Sequence, residues 1–149
     1  MWLGGDQTLS ATWRAIEDLF EELMALDLKK PKEITAQTIK KHESQLTEFY
    51  AKAAELVWLV GNSAPLRRGS GTMAEWLFAI IHLQHGLEPP LLKTEFPQLD
   101  VLDITFPLSD YKRFFTYFFE PSTIPTHLRR PALSQSLASQ MEALYTRST

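Results

Sequence analysis

Cysteine is missing altogether from the 149-residue chain. That absence excludes disulfides, thiolate zinc sites and a cysteine nucleophile, and it fits a reducing compartment, so a cytoplasmic folding environment is expected. No run of about eighteen apolar residues occurs, so no membrane span is expected. The opening Met1-Trp2-Leu3-Gly4-Gly5-Asp6 has neither the basic start nor the long apolar stretch of an export signal. Delivery into another cell by a route that needs no such signal is compatible with this pattern. Lysine and arginine never cluster beyond a pair and the formal net charge is −3, so a nucleic-acid partner is not expected.

What is present is the composition of an ordinary globular chain, 44% hydrophobic and 22% charged. The length suits one domain over residues 1–149 with a single core. Apolar residues at helical spacing, Trp13, Ile16, Leu19, Phe20, Leu23 and Met24, predict a first helix from Ser10 to Leu28 with Ser10 as its cap. Lys29-Lys30-Pro31-Lys32 then predicts its end. A second, longest helix is expected from Thr35, with Ile39, Leu46, Phe49, Ala53, Leu56, Val57 and Val60 on one face, until Gly61-Asn62-Ser63-Ala64-Pro65 breaks it.

A third helix, from about Thr72 to His85, is apolar on most sides through Met73, Trp76, Leu77, Ile80, Ile81 and Leu83, which predicts a place at the centre of the core before Gly86 stops it. The proline-containing stretch from Glu88 to Leu108 reads as loop. A fourth helix capped by Ser109 or Asp110 runs through Phe119, and a last one covers about Leu133 to Tyr145. The expected fold is all-α, a compact domain of about five helices.

The informative segment is the turn between the second and third helices, Ala64-Pro65-Leu66-Arg67-Arg68-Gly69-Ser70-Gly71-Thr72. Unpaired N–H groups at a helix start favour an anion, glycines allow close backbone approach, and an arginine adds charge-assisted bonds. Arg67, Arg68, Gly69, Ser70, Gly71, Thr72 and Glu75 are therefore the candidates for binding a nucleotide or phosphate. The plainer structural reading, which the commonness of Gly-Ser-Gly turns favours, is that Thr72 and Glu75 form a capping box, the glycines only turn the chain and the arginines are solvated.

Residues Ala54 to Pro90 resemble the core of Fic proteins, in which a helix is followed by H-P-F-x-D/E-G-N-G-R-x-x-R and a buried helix. Ala64 stands at the position of the catalytic histidine, Pro65 at the proline, Leu66 at the phenylalanine, Gly69 and Gly71 at the glycines, and Ser70 at the asparagine. Pro89 and Pro90 match a family Pro-Pro after Gly86. Arg68 occupies the place of the metal-binding acid, and Thr72 and Glu75 those of the two arginines. The resemblance implies a Fic-like fold from a bacterial effector or toxin-related protein. It does not imply the family reaction, because alanine cannot accept the proton of an attacking hydroxyl and arginine cannot hold magnesium.

His82 and His85 are the one close histidine pair, and with Glu88 as the one acid nearby the three or four convergent ligands of a metal site are lacking, so no metal and no cofactor are expected. Glu55 and Glu75 could meet across the second and third helices, but no nucleophile accompanies them. The aromatic run is too dense for one helix face, so Tyr111, Phe114, Phe115, Tyr117 and Phe118 are the candidates for a partner-binding surface. The expectation that follows is a non-catalytic binding module for a protein partner. The alternative is an enzyme of altered chemistry acting on a nucleotide or phosphorylated ligand at the Arg67 to Thr72 turn.

Overall fold

The computed structural model describes residues 5–62, 70–93 and 106–129, and their architecture is helical. Four α-helices form the body: α1 Gly5–Ala25, α2 Ala36–Asn62, α3 Ser70–Gln84 and α4 Leu108–Phe114, followed by three short 3-10 turns. No strand occurs among the described residues, and no helix there is long and apolar enough to cross a membrane. The expected last helix, Leu133 to Tyr145, lies outside the described residues.

The longest helix organises the rest. At 27 residues α2 extends for about 40 Å, and it packs against α1, α3 and α4. Its start is a reciprocal cap: Thr38 N–H donates to Thr35 Oγ1 at 3.1 Å, while Thr35 N–H donates to Thr38 Oγ1 at 2.8 Å. The pair satisfies two amide donors that the helix start would otherwise leave open. The inner face carries Leu46, Phe49, Tyr50, Ala53, Ala54, Leu56, Val57 and Val60, all buried. Residues at these intervals fall on one side of a helix, and the small Ala53 and Ala54 leave room for a neighbouring backbone.

Helix ends differ from the expected ones in four places. Ser10 lies inside α1, which begins at Gly5, and α1 stops at Ala25, ahead of the Lys29-Lys30 pair. Asp27 accepts a bond from Lys29 N–H at 3.2 Å and Leu28 turns inward, 3% exposed, so the chain has left the helix to bury that leucine. The second helix continues through Gly61 to Asn62, and α3 starts at Ser70, two residues ahead of Thr72. Thr72 is therefore within the helix and is not its cap.

Gly86 ends the α3 region as expected. Its φ of 71° is the left-handed conformation that glycine adopts without strain. Leu87 N–H reaches the His82 carbonyl at 2.9 Å and Gly86 N–H the Leu83 carbonyl at 3.0 Å, the paired bonds of a Schellman closure.

The aromatic run is the chief departure. Tyr111, Phe114, Phe115 and Phe118 are at most 1% exposed, so they belong to the core and not to a partner surface. Their spacing of three, one and three residues places them on one side of the chain. The change from α-helix to a 3-10 turn at Phe115, then to extended backbone at Phe119, turns the remaining rings inward too. Lys112 and Arg113 are left on the outside, and Tyr117 is half-buried with Lys93 Nζ 3.5 Å above its ring. Phe78 of α3 stacks on Phe119 at 5.3 Å, and Phe106 stacks on Phe118 at 5.6 Å. Edge and offset contacts of this kind add to the area that each ring removes from water.

Among the described residues of the Glu88 to Leu108 stretch, Leu92 forms one antiparallel bridge with Phe119. Lys93 N–H donates to the Phe118 carbonyl at 2.9 Å and Glu120 N–H to that of Leu91 at 2.7 Å, which ties the chain after α3 to the chain after α4. Trp58 Nε1 donates to the Phe106 carbonyl at 2.9 Å and holds the entry to α4 against α2.

Candidate functional site

Of the anion-binding candidates, Arg67, Arg68 and Gly69 lie outside the described residues. Ser70, Gly71 and Thr72 form the first turn of α3, and Glu75 follows on the next, partly buried. The Glu55 carboxylate lies 3.9 Å from Lys112 Nζ. Two surfaces of the described residues bear on function, a polar cleft and an apolar face.

The cleft, about 630 Å³, opens where the α1–α2 connector, α2, α3 and the 3-10 turns converge. At its floor His82 is 1% exposed and Tyr50 5%. His82 Nδ1 lies 2.7 Å from the Phe78 carbonyl, which can only accept, so Nδ1 carries the proton. The unprotonated Nε2 then faces the Tyr50 hydroxyl, which donates across 3.4 Å. Burial is the main reason that His82 is pushed down to about 4 and that the Tyr50 hydroxyl is held well above its usual value. Both are neutral near pH 7. With the Nε2 lone pair committed to Tyr50 and both rings packed against Phe49, the pair joins α2 to α3 and leaves no free base.

His85, the other member of the histidine pair, points away from His82. Its Nε2 donates at 2.7 Å to the Leu23 carbonyl near the end of α1, one of the carbonyls that a helix end leaves without an internal partner. On the cleft rim, Thr47 Oγ1 gives its proton to the Glu43 carbonyl at 2.8 Å, so His127 Nε2 donates to Thr47 Oγ1 at 3.0 Å. Among the described residues no three His, Asp or Glu side chains converge as a metal site.

The apolar face belongs to α3 and α1. Trp76 is 67% exposed, Ile80 41% and Leu83 62%, although the opposite side of the same helix buries Ala74, Phe78, Ile81 and His82. Met73, Trp76, Ile80 and Leu83 follow one another at intervals of three and four residues, the seam spacing by which one helix receives another. Beside the stripe, a groove of about 480 Å³ runs between α1 and α3, lined by Trp13, Ile16, Phe20, Met73 and Leu77, with Glu17 and Glu21 at its edge.

Sequence reasoning assigned all of these apolar residues to the interior. The signal that could have separated them is the three-four spacing from Met73 to Leu83, which marks a second stripe on a helix that needs only one to join the core. Comparison with protein-family models, with curated proteins and with solved structures gives no match to this chain. The likeness to the Fic core thus rests on the motif spacing between Ala54 and Pro90.

Proposed function

We propose that the protein is a non-catalytic binding module that presents the outward face of α3, with the groove it forms against α1, to a helical segment of a protein partner. The observation that carries this reading is the exposure of Trp76, Ile80 and Leu83 in one stripe on a helix whose other side is core. Contiguous exposed apolar surface costs solubility and is typical of interaction sites. Tryptophan is also the side chain most often found to dominate a protein interface.

At the floor of the polar cleft the His82–Tyr50 pair is neutral and bonded to itself. The aromatic run of α4 is no longer the surface on offer, since it is consumed by the core.

The test is selection from a displayed library of helical peptides, carried out in parallel on the wild-type chain and on a Trp76→Asp/Ile80→Asp variant. Peptides with leucine-like anchors at three- and four-residue spacing should be enriched by wild type and not by the variant. Enrichment of the same peptides by both proteins, or of none by either, would remove the basis for the proposal.

A further inference from the structure

The edge of the α1–α3 groove is charged with one sign. Glu17 and Glu21 line it directly, and Asp18 and Glu22 follow on the exposed side of α1. Arg14 is the lone cation of α1, and α3 has no lysine or arginine at all. Glu22 is engaged by Lys52 Nζ at 2.7 Å, whereas Glu17 and Glu21 make no ion pair among the described residues. An apolar trough bordered by carboxylates that make no ion pair among the described residues is a surface with a definite complement.

From this we infer that the occupant is a basic amphipathic helix, one that sets leucine-like residues into the trough and lysine or arginine along Glu17 and Glu21; the inference rests on the proposed binding function. Charge selects among the other occupants. A second copy of this chain would bring its own acidic α1 edge to the same place, where like charges repel. An anionic membrane surface would be repelled by the same carboxylates. A basic helix gains on both counts, through apolar burial along the seam and attraction at its edge.

The experiment uses three labelled synthetic peptides of about five helical turns: one with leucines at seam spacing and lysines elsewhere, its counterpart with glutamates, and a scrambled leucine/lysine peptide. Binding to the full chain is read by fluorescence anisotropy at low salt and at about 0.5 M salt, where screening is strong. The ordered lysine peptide should bind at least about tenfold tighter than the other two, and this advantage should shrink in high salt. A Glu17→Lys/Glu21→Lys variant, altered only at exposed positions, should transfer the preference to the glutamate peptide. Trp76→Asp should weaken both.

Equal affinity for the lysine and glutamate peptides, or a preference untouched by the charge reversal, overturns the inference while leaving the binding face in place. No binding of any ordered peptide removes the binding function as well. Sedimentation showing a dimer that Trp76→Asp abolishes assigns the face to a second copy, and capture by anionic vesicles assigns it to lipid. Either result overturns the basic-helix inference.

Discussion

The aromatic segment Tyr111 to Phe119 and the outward side of α3 have the same kind of composition and opposite fates. Tyr111, Phe114, Phe115 and Phe118 are rings in sequence excess, yet they are fully buried; Trp76, Ile80 and Leu83 sit on a helix apolar enough for a core centre, yet they face out. Density of apolar residues sets how much surface wants burial, but the available partners set which of it is buried. The α4 segment meets Phe78 and Phe106 and changes backbone type twice, so its rings reach the core from several directions. α3 stays a regular helix, and a straight helix packed on α2 and α1 has one side left over.

Breaking the first half of this comparison should have the largest effect. Phe115 is 1% exposed and touches Phe78, Tyr111, Phe118 and Phe119. Phe115→Ala removes a ring that its neighbours cannot follow inward, and should cost about 3–5 kcal/mol of unfolding free energy. Equilibrium urea denaturation measures it. A loss below about 1 kcal/mol would mean that the aromatic segment is looser than its packing implies.

The inward side of α3 can be probed separately by pH. His82 is held down to about 4 by burial, against an ordinary value of 6.5, and His85 nearby adds a smaller repulsion. As pH falls through 6.5 the unfolded chain takes up a proton that the folded chain refuses until about pH 4. The stabilisation is complete above 6.5 and is lost progressively down to 4, by about 3 kcal/mol in all. Stability measured against pH should show this acid slope for wild type, and His82→Gln should flatten it between 6.5 and 4. Parallel slopes for the two proteins would place the titration elsewhere.

How much of this was legible follows from what each signal encodes. The helical class and the place of α2 were readable, because one clean apolar stripe from Leu46 to Val60 has a single solution. The left-handed stop at Gly86 was readable for the same reason, since glycine alone takes that backbone conformation freely. The ends of α1 were not, because Leu28 is drawn into the core by a tertiary contact that overrides the cationic pattern after it. Nor was the direction of α3: with Met73, Trp76, Leu77, Ile80, Ile81 and Leu83 around its axis, composition fixes that it packs but not which side packs. The candidate docking face depends on that rotation, and so it emerged only when the neighbours were in place.

Two positions on different sides of α3 test the rotation directly, with the smallest expected effect on one side. Ile81 is fully buried and Trp76 is 67% exposed. Ile81→Ala should cost about 2–5 kcal/mol, whereas Trp76→Ser should leave unfolding free energy within about 0.5 kcal/mol of wild type. The near-zero value is the informative one, because a tryptophan that contributes little to folding is retained for another reason or for none. If Trp76→Ser instead costs as much as Ile81→Ala, the tryptophan is a core residue in solution, some part of the chain covers it, and the outward face of α3 ceases to be available to a partner.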